Sequence, residues 1–222
     1  MDMHKFVARF NGDLRSHTSR SVFYYSSAVA GLASADASTG YVATVAVLNV
    51  HNQATTTPQV IIPIAIRLTA RAVNDTASDG EVDLVIDQGG TRYSSGGTEL
   101  TPVTTSVGSP GDQAITDLTP KAKVYAGALT LAAATAAVKQ VGRTFVTSTI
   151  LAIGDQINIV FGNFGLDFHG TVGTDRHVVC VAPMWIGPNA NLSVHWYGTA
   201  QAADPKFQFE MWHVEVGHGH NT

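Results

Sequence analysis

Taken as a pattern of apolar and polar positions, the chain is a series of short alternating runs. Residues 41–50 place Tyr41, Ala43, Val45, Val47 and Asn49 on one face and Val42, Thr44, Ala46, Leu48 and Val50 on the other. Both faces are largely apolar, which predicts a central strand. Residues 60–70 form a second apolar run, and Pro63, which cannot donate to a ladder, predicts an edge or a bulge there. In 81–87, Val82, Leu84 and Ile86 alternate with Glu81, Asp83 and Asp87, with Val85 beside Leu84, so a strand with one wet face is expected. Residues 144–153 and 156–161, divided by Gly154-Asp155, read as a hairpin. Residues 176–216 carry all three tryptophans and read as a three-stranded antiparallel unit. Within it Leu192, Val194 and Trp196 alternate with Ser193, His195 and Tyr197, which sends Trp196 to the core. Phe207, Phe209 and Met211 alternate in the same way, but the apolar phase then passes to Trp212, Val214 and Val216, so a bulge is expected near Met211-Trp212.

Between these runs lie segments of a different kind. Residues 51–58 are a polar loop, and 88–119 are rich in Gly, Ser, Thr and Pro, the composition of a long loop that binds or projects. In 122–141 the alanine-rich run 132–138 has helix propensity, while Leu129, Leu131 and the flanking threonines would also suit a strand and turn; the stretch reads as a short helix or loop insertion. The expected class is all-β, an antiparallel sandwich or jelly roll with an N-terminal arm and long loops. Its divisions are an arm at 1–38, a body at 39–216 with an excursion at 88–121, and a histidine-containing tail at 217–222. The arm has a poor period yet carries Phe6, Phe10, Phe23, Tyr24 and Tyr25, so it needs a surface to lie on, its own domain first and a neighbour second.

Composition narrows the class of partner. Charged residues are 14% of the chain, against roughly 25% in an ordinary soluble domain, while the apolar fraction of 45% is normal. Charge is depleted where subunits bury one another, so a homo-oligomer is expected. The 13 basic and 17 acidic residues give a net charge of −4 and form no basic stripe, which argues against nucleic acid as a partner. Cys180 is the single cysteine and lies in an apolar run, so a buried thiol and no intrachain disulfide are expected. The first residues lack a basic region followed by an apolar run, and 60–68 is too short to span a bilayer, so neither a secretory signal nor a membrane partner is expected.

Candidate chemistry is sparse. His218-Gly219-His220, close behind His213, has the form of a motif that three copies meeting on an axis could wrap around one metal, but a solvated tail is the simpler reading and no metal is expected. Asp75, Asp79, Glu81, Asp83 and Asp87 are an acidic cluster without the spacing of a calcium loop, and a solvated strand face is expected. No G-x-S-x-G elbow occurs, and neither Gly89-Gly90 nor Gly96-Gly97 is followed by the residues of a phosphate loop. No catalytic residue and no cofactor is expected. Trp185, Trp196 and Trp212 have the makings of a sugar-stacking platform, against which core or interface packing is the favoured reading.

Three stretches carry a family resemblance. They are Val47-Leu48-Asn49-Val50 followed by Val60-Ile61-Ile62-Pro63-Ile64-Ala65-Ile66, then Ala182-Pro183-Met184-Trp185-Ile186-Gly187-Pro188-Asn189-Ala190-Asn191-Leu192, and finally Pro205-Lys206-Phe207-Gln208-Phe209-Glu210-Met211-Trp212. Together they resemble virion structural proteins of tailed bacteriophages, nearest to a capsid decoration, or cement, protein with a jelly-roll body. The resemblance implies trimers on the capsid surface that clamp neighbouring major capsid subunits, made in the host cytoplasm and carried in the virion. Phe6, Phe10, Phe23, Tyr24, Tyr25 and Trp185 are the candidate contact residues. The alternatives are a tail or fibre protein holding a host glycan in loops such as 88–119, an enzyme whose fold assembles a carboxylate pair or triad, and a scaffold-type chaperone. The last is disfavoured because such proteins tend to be helical and highly charged. The alanine-rich segment 126–138 departs from the family picture.

Overall fold

The alternating runs become two facing β-sheets. The structure is a computed structural model that describes residues 22–34, 40–54, 60–72, 80–103, 120–146, 151–162, 176–198 and 205–216. Its strands are β1 (Val22–Ser26), β2 (Leu32–Ala33), β3 (Val45–Asn52), β4 (Val60–Ala72), β5 (Gly80–Asp87), β6 (Tyr93–Glu99), β7 (Pro102–Val103), β8 (Ala122–Leu131), β9 (Val138–Val146), β10 (Gln156–Phe161), β11 (Arg176–Val181), β12 (Asn191–Gly198) and β13 (Lys206–Val216). The first sheet runs β11-β10-β4-β13-β1-β7 with β2 also on β13, and the second runs β6-β8-β3-β12-β5-β9. All pairings are antiparallel except β10 with β11. The inner faces form one core, with Ile66, Leu68, Phe207 and Phe209 from the first sheet against Leu48, Val50, Leu84, Leu192 and Trp196 from the second. The all-β sandwich read from the alternation is therefore the observed architecture.

β3 is central, as its two apolar faces require, lying between β8 and β12. Trp196 is 4% exposed and meets Phe207 edge-on at 5.4 Å between ring centres. Pro63 does sit beside a bulge. Trp212 pairs with Ala65 but His213 pairs with Pro63, so Ile64 of β4 is the extra residue. β10 stops pairing at Ala65, and two residues before Pro63 the Ile61 N–H donates to Ile186 O, so the missing proline donor faces the side of β4 that β10 no longer covers.

An irregularity thus lies next to Met211-Trp212 as expected, but its extra residue is on β4, so the expected change of phase in β13 does not occur. The odd positions of β13 stay inward past Met211, so His213 and Glu215 enter the interior while Trp212 turns outward. His213 stacks on Phe23 and on Tyr25, each at 5.4 Å between ring centres. Glu215 accepts the backbone N–H groups of Lys121 at 2.9 Å and Ala122 at 2.8 Å, and the Tyr25 hydroxyl donates to Ala122 O at 2.9 Å. One carboxylate and one phenol thus fasten the start of β8 in the second sheet to β13 and β1 in the first. Burying Glu215 is tolerable because its oxygens are hydrogen-bonded.

Five further expectations are overturned. Residues 126–138 form no helix; β8 and β9 occupy most of 122–146, joined by 132–137. Alanine's helix preference is a weak prior, and the burial of Val124, Ala126, Leu129 and Leu131 in the sheet overrides it. Segments 144–153 and 156–161 are not a hairpin, because β9 pairs with β5 in the second sheet while β10 lies in the first. The Gly154-Asp155 turn instead fastens to β4, with Gly154 N–H on Ala70 O at 2.9 Å and Ala70 N–H on Asp155 O at 2.8 Å. The C-terminal block is not one three-stranded unit, since β12 belongs to the second sheet and β11 and β13 to separate parts of the first. The outer face of β5 is not wet: Glu81, Asp83 and Asp87 are all buried, because Tyr197 of β12, Gln140 and Arg143 of β9, and Arg92 lie against them. Cys180 is exposed rather than buried, on the outward-facing side of β11.

Within the expected arm, β1 and β2 are integral to the first sheet, and within the expected excursion β6 and β7 are strands.

Candidate functional site

The candidate contact aromatics separate into distinct environments. Phe6 and Phe10 lie outside the described residues, as do Asp75, Asp79, His218 and His220. Phe23 and Tyr25 belong to the core. Tyr24, between them on β1, points the other way and stacks on its cross-strand neighbour Trp212 at 4.9 Å. The Arg67 guanidinium lies over the Trp212 ring at 5.3 Å and reaches Asn158 at 3.1 Å and Glu210 at 3.4 Å, while the Tyr24 hydroxyl donates to Glu210 at 2.6 Å. With a tyrosine and a guanidinium against it, Trp212 presents little free ring face for a sugar. Trp196 is in the core and Trp185 lies elsewhere, so the three tryptophans do not make one platform.

Trp185 is the exception among the described candidate contact residues, at 64% exposed. Its backbone is nonetheless fixed. The next residue, Ile186, exchanges two backbone hydrogen bonds with Ile61 at 3.0 and 2.8 Å, and the Asn52 side chain donates to Ile186 O at 3.0 Å. Asn52 also pairs through its backbone with Asn189 and Ala190, each at 3.0 Å. No charged side chain occurs from Val178 to Val194. At this end of the sandwich Ile61 also pairs with Glu215, Val60 with Val216 and Val22 with Val214, so the first described strand begins and the last one ends at the same end of the first sheet as the Trp185 segment.

The outer face of the second sheet carries a buried polar layer. Arg92 and Asp87 form an ion pair at 3.1 Å with both side chains almost fully buried, and Arg92 also donates to the carbonyls of Ala132, at 2.9 Å, and Ala43. Burial alone would raise the Asp87 pKa, but donors from Thr135, the Gly89 N–H and Arg92 outweigh it and hold the carboxyl below its ordinary range. Asp83 accepts from Tyr197 at 2.8 Å and Gln140 at 2.6 Å, and Arg143 pairs with Glu81 and lies 3.6 Å from Asp83. Burial and the bond to Asp83 push the Tyr197 phenol up to about 12.

Ser193 and His195, two apart on β12, approach at 2.9 Å. Burial pulls the His195 imidazole down to about 4, so at neutral pH the ring is uncharged. Its Nδ1 is 2.6 Å from Val45 O, an acceptor, so Nδ1 carries the proton and Nε2 accepts from the Ser193 hydroxyl. A serine donating to a histidine is the start of a nucleophile. Here, however, the third member is a backbone carbonyl and Ser193 is 3% exposed, with Val85 O also within 3.3 Å of its hydroxyl. The pair is closed off within the sheet face. Asn49, opposite Ser193 in register, is fully buried, and its side-chain amide has no hydrogen-bond partner among the described residues.

Beside this layer is a cavity of about 150 Å³ lined by Tyr41, Asp83, Val85, Val138 and Gln140, open to solvent on one side. Tyr41 stands edge-on to His195 at 4.9 Å and, with Val42, is among the exposed large hydrophobic residues. Val85 forms part of the cavity because it is the one apolar side chain at an outward position of the strand otherwise bearing Glu81, Asp83 and Asp87 there. That break in the alternation is visible in the sequence; the arrival of Tyr41 and Gln140 is not. Among the described residues no group of three or more His, Cys, Asp or Glu side chains is placed to hold a metal ion. Comparison of the chain with family models, with curated proteins and with solved structures finds no match.

Proposed function

We propose that this chain is a non-enzymatic virion structural protein of a tailed bacteriophage, a decoration or cement protein on the capsid surface that bridges major capsid subunits as a homotrimer. The observation that carries the reading is Trp185, a large apolar side chain held in solvent on a hydrogen-bonded backbone within a charge-free stretch. Rigid exposed tryptophans are the residues on which protein interfaces concentrate their binding energy. The low charge fraction and the sequence resemblance support the same reading, as does the closure of Ser193 and His195 within the sheet, which denies a substrate access to the nucleophile. A jelly-roll type of connection is part of the proposal, supported by the way the chain passes between sheets at β3, β4 and β5 and again at β11, β12 and β13.

The test is electron microscopy of virions assembled with and without this protein, combined with a heat challenge of the heads. The proposal expects density on the capsid lattice that disappears with the deletion, and heads that burst at lower temperature without it. Density at the tail tip instead, with heads of unchanged stability, overturns the capsid assignment in favour of a tail or fibre protein.

A further inference from the structure

We propose that Trp185 of one copy seats in the cavity lined by Tyr41, Asp83, Val85, Val138 and Gln140 on the next copy, forming a head-to-tail contact that closes into a ring. The inference rests on the homo-oligomer reading above and names the contact that would make it. Its two halves are independent features of the chain: an exposed indole next to a hydrogen-bonded backbone residue, and a cavity on the outer face of the second sheet.

Size and chemistry match. A volume of about 150 Å³ is that of an enclosed apolar cavity known to take up benzene, so by volume this half-open one has room for the six-membered ring of an indole with the rest toward its open side. Val85 and Val138 supply aliphatic contact, and Tyr41 an aromatic wall. A buried indole N–H needs an acceptor. Gln140 gives its amide N–H to Asp83 at 2.6 Å, which orients its side chain and leaves the amide carbonyl to accept. The surroundings agree as well: Tyr41, which lines the cavity, is itself 40% exposed, so the indole would cover another exposed large hydrophobic. The cavity and Trp185 are different surfaces, so the contact is heterologous. Such contacts make rings when the rotation closes and filaments when it does not.

The test compares wild-type protein with Trp185→Ala and with Val138→Phe, which fills the cavity from within, by sedimentation and native mass spectrometry across a concentration series. Melting curves on the same samples confirm that each variant is folded. If the contact exists, both variants raise the dissociation constant of the oligomer at least about thirtyfold, the threshold of a hot-spot residue, without a matching loss of melting temperature. Tryptophan emission of the wild type shifts to shorter wavelength on assembly, and this shift is missing in Trp185→Ala. An oligomeric wild type unaffected by either substitution overturns the contact and leaves the oligomer reading standing. Weakening by Trp185→Ala alone overturns the cavity as the seat of the indole. A wild type that stays monomeric at micromolar concentration overturns both.

Discussion

Acid should weaken this fold through His195 in particular. The imidazole is 1% exposed, with Nδ1 bonded to Val45 O at 2.6 Å and Nε2 to Ser193 at 2.9 Å. Its pKa is pulled from an ordinary 6.5 down to about 4 by burial. The sign follows from proton uptake. Below pH 6.5 the unfolded chain protonates this histidine while the folded one does not, so stability falls as pH drops from 6.5 and levels off below about 4. At about 1.4 kcal/mol per tenfold difference in proton affinity, the full effect is about 3 kcal/mol, a large share of the roughly 5 to 15 kcal/mol that holds a domain together. The perturbation that isolates it is His195→Asn, whose amide can still donate to Val45 O but does not titrate. Urea unfolding of both proteins from about pH 7.5 to about pH 4.5 gives the difference in stability at each pH, and carboxylates common to both, Asp87 among them, cancel in that difference. The wild type should be the more stable at neutral pH, and its advantage should shrink by about 3 kcal/mol, or reverse, toward the acid end. A difference that stays constant across the range would refute the reasoning, because it would mean that the folded protein takes up the proton as readily as the unfolded chain.

Trp196→Ala should cost about 3 to 5 kcal/mol and lower the melting temperature markedly, since a buried ring is lost and its cavity stays unfilled; near-normal melting would show that the ring does not hold the core. Arg92→Met should cost about 3 to 5 kcal/mol by chemical denaturation, because Asp87 keeps its charge in a buried site without its cation, and Asp87→Asn in the same chain should recover part of the loss; a neutral single substitution would show that the pair is not closed to water. Screening the protein against esters, peptides and glycans should give no turnover above background, because Ser193 is sealed beneath its neighbours; hydrolysis abolished by Ser193→Ala would reverse that conclusion.

The parts of this fold legible in the sequence are those where one face of a strand is apolar and nothing competes. β3 and β12 are of this kind, and the inward set Leu192, Val194 and Trp196 follows from period two alone. What misled was polarity taken as exposure. Glu81, Asp83 and Asp87 look solvated, but strands and connections on both sides bring Arg143, Tyr197, Gln140 and Arg92 to them, and those partners lie too far along the chain for a local pattern to report. His213 and Glu215 failed for the same reason, because the apolar phase of Trp212, Val214 and Val216 is a local signal while the donors at Lys121 and Ala122 are remote. The strand pairing of β9 and β10 was likewise decided by partners in different sheets and not by the turn between them. For the candidate site, the sequence points to Trp185, whereas the cavity needs three segments of chain to meet.

The pairing of β1 with β13 fixes how the molecule responds to being pulled. Five consecutive residue pairs join the two strands, from Val22 with Val214 to Ser26 with Glu210, and their hydrogen bonds lie across the strand axis. A tether drawing residue 22 along that axis, against the far end of the body, loads the ladder in shear, and Tyr25 adds its bond to Ala122. A tether drawing residues 22 and 216 apart acts at the open end of the same ladder and parts it one rung at a time. The chain is therefore mechanically strong in one direction and weak in another. A cargo fused ahead of β1 would be held firmly only when its tension runs lengthwise along the sheet.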